Sequence, residues 1–233
     1  MRTRVIDWRI VGLSLATVGL AILLWHSPLL LPIKLFVVLL HELGHAAAAL
    51  LTGGSVERLV VTADEGGLAF TRGGNRFLIA SAGYLGSLVA GVALMWLARA
   101  PDGLRRGALY ALALVLLVAT LATVRDPFTL LFVTVVCVVV LALARGGGPW
   151  LRQGVLWVIG SFSALYAVID IGSDILRQGP FAGIPFLGGA TFRNDAELLA
   201  AETFIPAFVW GLFWISLALA FYLWNLFQLV TRR

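Results

Sequence analysis

The sequence predicts an all-α polytopic membrane protein of about six or seven transmembrane helices, with a small β-hairpin after the second. Three observations predict it. Of the 233 residues, 61% are hydrophobic and only 12% charged, about half the charged share of an ordinary soluble domain. The mean hydropathy is +0.98, and the apolar residues gather in runs of roughly the twenty residues that cross a hydrocarbon core. One segment breaks the pattern, with β-branched residues on either side of a Gly-rich turn.

The first span runs from Ile10 to Trp25. Arg2 and Arg4 ahead of it imitate a signal peptide, but His26-Ser27-Pro28 offers no small-x-small cleavage site, so a retained helix is expected. Pro28 and Pro32 mark the break before a second span, Ile33 to Leu51, which Gly53-Gly54 ends. An insert over 55–76 follows. In it Val56–Val61 and Leu68–Arg72 flank Asp64-Glu65-Gly66-Gly67, which reads as a hairpin. The third span, Phe77 to Leu97, carries Ala82, Gly86 and Ala90 at four-residue spacing, with Gly83 and Gly91 beside them. Small residues in a row let helix backbones approach closely, here with the second span as the expected partner. Arg99 to Arg106 reads as a polar loop. Spans four and five cover Gly107–Val124 and Thr129–Ala144, and the sixth runs from Trp150 to Ile175. An extramembrane segment, 176–205, contains Asn194-Asp195-Ala196-Glu197, an N-cap with an acidic partner at N3 that predicts a short helix over 195–203. Pro206 to Val230 is the last span. The whole, 1–233, reads as a single membrane domain. Lysines and arginines divide almost evenly between the two sides, so they set no orientation.

Composition also excludes functions. Cys137 is the only cysteine, so neither an internal disulfide nor a cysteine zinc site can form. The net charge of +5 is scattered over loops without interleaved aromatics, which gives no nucleic-acid footprint. It suits anionic lipid head groups instead. No internal repeat supports a transporter of inverted halves.

The second span carries the chemistry. His41-Glu42-Leu43-Gly44-His45 holds two of the three histidines in the chain. Imidazoles at i and i+4 lie on one side of a helix and can share one metal ion, with the intervening glutamate placed as general base rather than ligand. Ionisable groups inside a membrane helix are costly unless paired or coordinated, which makes this cluster a functional site by default. The expected ion is Zn2+. A catalytic zinc takes three protein ligands, and the third should be a carboxylate, because His26 at the end of the first span reads as an interfacial residue. Asp170 ranks first, Asp126 second, and Asp174 ahead of Asp102. Asp170 and Asp174 stack at i, i+4 with Tyr166 on one helix face, where a cation would relieve their repulsion. Asp126 sits at a tight turn and also reads as a helix cap, and Asp102 reads as turn chemistry.

These motifs resemble the site-2 protease family of intramembrane zinc metalloproteases, in its compact B-type-like branch of bacteria and fungi. The residues that carry the resemblance are Leu40 to Ala46 with Thr52-Gly53-Gly54, Ala82 to Gly86, Tyr166 to Asp174, and Asn194-Asp195-Ala196. The resemblance implies zinc on His41 and His45, Glu42 as general base and an aspartate as third ligand. It also implies a protein or peptide substrate with a transmembrane segment, and a multi-pass protein of a bacterial cell membrane. The family's Asn-x-x-Pro … Leu-Asp-Gly element is missing here, and the helix of Tyr166, Asp170 and Asp174 stands at the matching place. The competing expectations are a non-proteolytic membrane zinc-binding protein and, behind it, an ion transporter.

Overall fold

A computed structural model describes residues 5–24, 27–178 and 195–232. The elements run β1 (Val5–Ile6), α1 (Trp8–Leu24), a 3-10 turn (Pro28–Leu30), α2 (Leu31–Leu51), β2 (Ser55–Val61), β3 (Gly67–Arg72), α3 (Arg76–Arg99), α4 (Asp102–Thr123), α5 (Pro127–Gly146), α6 (Pro149–Gln178), α7 (Asp195–Thr203), α8 (Ala207–Val230) and β4 (Thr231–Arg232). Seven of these helices correspond to the seven expected spans. Five, among the described residues, are long and apolar enough to cross a membrane: Pro28–Leu51, α3, α4, α5 and α8. An apolar α1 is shorter.

Helix α3 lies at the centre, packed mainly against α6 and α2. Small residues make this possible. Gly91 and Gly160 face each other so closely that a Cβ on either would strike the other helix's backbone. At the α2–α3 contact a Cβ on Gly44 would strike the Ala82 carbonyl, and one on Gly86 would lie 3.1 Å from Gly44 Cα. The expected small-residue face of α3 does meet the motif helix. With no water to exclude between helices, such close backbone approach is what holds them together. Helices α4 and α5 pair on one flank, and Leu114, Leu121, Leu131 and Val138 face outward, an apolar surface suited to lipid.

The hairpin is bound to the bundle at both ends. Leu59 and Val61 bury among Leu35, Phe36 and Leu39 of α2 with Leu116 and Val133. The Thr129 hydroxyl donates to the Val61 carbonyl (3.1 Å) and accepts from the Val61 N–H (2.9 Å). Lys34 pairs with Glu65 of the turn at 2.9 Å. Where α2 ends, Gly53 takes φ +82°, and the Thr52 hydroxyl accepts from the Asn75 N–H at 2.9 Å. Asn75 then caps α3 by accepting from Leu78 N–H. The hairpin thus leaves and returns at one spot, which brings α2 and α3 together antiparallel.

Two boundaries differ from expectation. The loop expected over Arg99–Arg106 is mostly helix, because α4 begins at Asp102. An aspartate in the first turn favours the positive helix end, and here its carboxylate also receives the buried Arg152 guanidinium at 2.5 and 2.9 Å. The chain ends meet in a two-residue antiparallel pair, Val5–Ile6 with Thr231–Arg232, beside which Arg99 bridges Asp7 (3.4 Å) and the Leu229 carbonyl. Segments so short carry no periodicity to read.

Candidate metal centre

Helix α2 carries His41, Glu42 and His45, all buried, and their ligand atoms lie within 4.8 Å of one another. The helical spacing sets this, and α3 sharpens it. At Gly83 a Cβ would fall on His41 Nε2 and His45 Nε2, so only glycine lets α3 pass over the two rings. His45 Nδ1 lies 2.6 Å from the Ile79 carbonyl. That carbonyl can only accept, so Nδ1 carries the proton and Nε2 presents its lone pair to the site. His41 turns its Nε2 to within 3.0 Å of His45 Nε2. Its ring packs edge-on against His45, Tyr84 and Tyr166, with centroids 4.7, 4.6 and 5.4 Å away.

A third donor comes from α7. Asp195 Oδ2 lies 3.1 Å from His41 Nε2 and 3.3 Å from His45 Nε2. The helix is held there by Ala196 and Leu199, both buried, as it packs on α3 and α8. Despite these short distances, Oδ2 is buried without a properly oriented hydrogen bond among the described residues.

The three atoms fit a metal better than a hydrogen-bonded cluster. One proton between two imidazole nitrogens and a carboxylate oxygen can serve only one of the three contacts. An ion serves all three. Tetrahedral ligands about 2.0–2.1 Å from zinc stand about 3.3 Å from each other, which is close to the 3.0, 3.1 and 3.3 Å seen here. The residues His41, His45 and Asp195 could therefore hold zinc. Glu42 stands beside them, with Gly67 so close that a Cβ there would strike Oε1.

Two of the other sequence-predicted ligands make different contacts. Asp170, ranked first, accepts the Tyr84 hydroxyl at 2.7 Å; the carboxylate set against both imidazoles is that of Asp195. Asp126 is the N-cap of α5, accepting from Thr129 N–H at 2.8 Å. Asp174 lies in α6, but its side chain, like all of His26 and Asn194, falls outside the described residues. Sequence reasoning gave Asp195 only a place in the first turn of a short helix. The one signal that pointed further was Asn194-Asp195-Ala196 among the motifs of the resemblance.

A histidine pair, a neighbouring glutamate and an incoming aspartate thus lie together, buried among the apolar helices of a multi-pass integral membrane protein. The chain matches the family described as Peptidase M50B-like over residues 14–225, and it belongs to that family. The resemblance to the site-2 proteases is thereby borne out. No curated protein and no solved structure matches it.

Proposed function

We propose that this protein is an intramembrane zinc metalloprotease that hydrolyses peptide bonds of membrane-associated substrates in a bacterial cell membrane. The observation that carries the reading is the convergence of His41 Nε2, His45 Nε2 and Asp195 Oδ2 beside Glu42. Those three residues hold the ion. Lewis acidity is what zinc supplies there, polarising a carbonyl and making water a competent nucleophile near neutral pH. Glu42 accepts the proton of the attacking water and delivers it to the leaving amine. The Ile79 carbonyl keeps His45 in the tautomer that binds through Nε2.

A helical substrate must unwind before its backbone can be cut, since its carbonyls are already bonded. Strand β3 offers those bonds a new partner. Neighbouring residues of an antiparallel strand bond to opposite edges; Val61, opposite Gly67, spends its N–H and C=O on Thr129, so Gly67 turns its own away from β2, and Gly67 lies against Glu42. Gly67, Ala69 and Thr71 therefore share the edge nearest the catalytic groups. A substrate stretch pairing there by strand addition lies alongside Glu42. A photoreactive substrate trapped on Glu42→Gln should crosslink within 67–72. Crosslinks confined to α4 and α5 would remove β3 from substrate binding.

The test of the activity is cleavage of fluorescein-labelled casein by zinc-loaded protein in detergent micelles. Glu42→Gln should keep its zinc and lose about 10²–10⁴-fold in rate, the usual contribution of a general base. Equal rates for the two proteins would leave a non-proteolytic zinc protein as the better reading.

A further inference from the structure

Two tyrosines and an aspartate next to the metal centre have no part in the chemistry above. Tyr84 of α3 donates its hydroxyl to Asp170 Oδ2 at 2.7 Å. Its ring is buried between His41 (4.6 Å) and Trp214 (5.1 Å). Tyr166 of α6 sits one helical turn before Asp170 and packs edge-on to His41 at 5.4 Å, 6.2 Å from the Tyr84 ring. It is only half-buried, and its phenol lies within electrostatic reach of Asp170, Glu42 and Asp195.

The two phenols are not equivalent. Tyr84 is enclosed, and its hydroxyl is spent on Asp170. Tyr166 stands beside a carboxylate that Tyr84 already serves. Rotation about one C–O bond redirects its hydrogen, and Asp170 keeps a partner when that happens. Peptide hydrolysis needs such a donor. Negative charge grows on the carbonyl oxygen as water adds, and a prepositioned hydrogen bond stabilises it most in a site shielded from water.

Resting on the proteolytic reading above, we propose that Tyr166 is a catalytic residue: its phenol donates a hydrogen bond to the oxygen of the scissile carbonyl as that oxygen becomes negative. Asp170 and Tyr84 are positioning residues that hold the phenol at the metal centre. No bond to Tyr166 is made or broken, and its proton stays on the phenol.

The test uses the full-length, zinc-loaded protein in micelles with labelled casein, and wild type and Glu42→Gln as references. Tyr166→Phe should lower kcat by about 10²–10³-fold, the usual cost of one such donor. KM should stay within about twofold, and zinc content and melting temperature should be unchanged. Its affinity for a phosphinic peptide, which mimics the tetrahedral oxygen, should fall by a similar factor in calorimetry. Asp170→Asn should lower kcat less, and adding it to Tyr166→Phe should cost nothing further, since both act on one hydrogen bond. If phenylalanine unfolds the protein, 3-fluorotyrosine at 166 keeps the question open to measurement, and a change in kcat without a change in KM is expected. Tyr166→Phe cutting within twofold of wild type, or losing zinc, overturns the assignment. A wild type that binds zinc but cleaves no faster than Glu42→Gln overturns the proteolytic reading itself, and the role of Tyr166 with it.

Discussion

Replacing Asp195 by alanine should strip the protein of zinc, while replacing Asp170 should leave the metal in place. The carboxylate of Asp195 lies 3.1 and 3.3 Å from the two imidazole nitrogens, whereas Asp170 accepts a tyrosine hydroxyl. Loss of a group that merely orients a ligand costs about 10–100-fold in metal affinity, and loss of a ligand costs more. An affinity lowered by more than about 10²-fold is therefore expected for Asp195→Ala. Asp195→Asn should retain part of it, because the amide oxygen still donates but carries no charge. Competition with a chromophoric chelator measures both. The fold should survive either change, because α7 is held by Ala196 and Leu199 rather than by the carboxylate. Zinc that is retained in Asp195→Ala and lost in Asp170→Ala would return the third position to α6.

Gly83→Ala should disable the centre without touching any ligand. The added methyl would occupy the space of His41 Nε2 and His45 Nε2. Either the imidazoles swing away or α3 withdraws from α2, where Gly44 and Ala82 are already in backbone contact. Overpacking of this kind costs about 1–3 kcal/mol, and the ligand geometry is what gives way. The expected result is a lower melting temperature in detergent together with loss of stoichiometric zinc. Gly154→Ala is the control, because nothing lies within 4 Å of a Cβ at that site on α6. A Gly83→Ala protein with full zinc and unchanged melting would mean that α3 does not press on the two rings.

The parts of the structure that repeat locally were legible in the sequence. Spans showed as apolar runs, the hairpin as β-branched residues around Gly66-Gly67, and α7 as a capped acidic turn at the residues where it is found. His41, Glu42 and His45 were legible because helical spacing alone brings them together. The small residues of α3 announced a close helix contact, though not that Gly83 lies directly over the histidines. Asp195 was not legible as a partner of the histidines. More than a hundred residues separate it from His45, and an acid in the first turn of a helix already has a sufficient local explanation. Asp170 attracted the assignment because a carboxylate on an apolar helix demands a partner. It accepts the Tyr84 hydroxyl, and a sequence pattern does not distinguish a hydroxyl from a metal ion. The pairing of Asp102 with Arg152, fifty residues apart, was hidden for the same reason.

The most direct measurement of the metal centre is zinc K-edge X-ray absorption on purified wild-type protein, with zinc per chain determined on the same sample. One zinc per chain is expected, bound by two imidazoles and by oxygen donors at about 2.0–2.1 Å, with no sulfur. A folded protein that takes up no zinc, or a spectrum with fewer than two imidazoles, would contradict a site built from His41, His45 and Asp195.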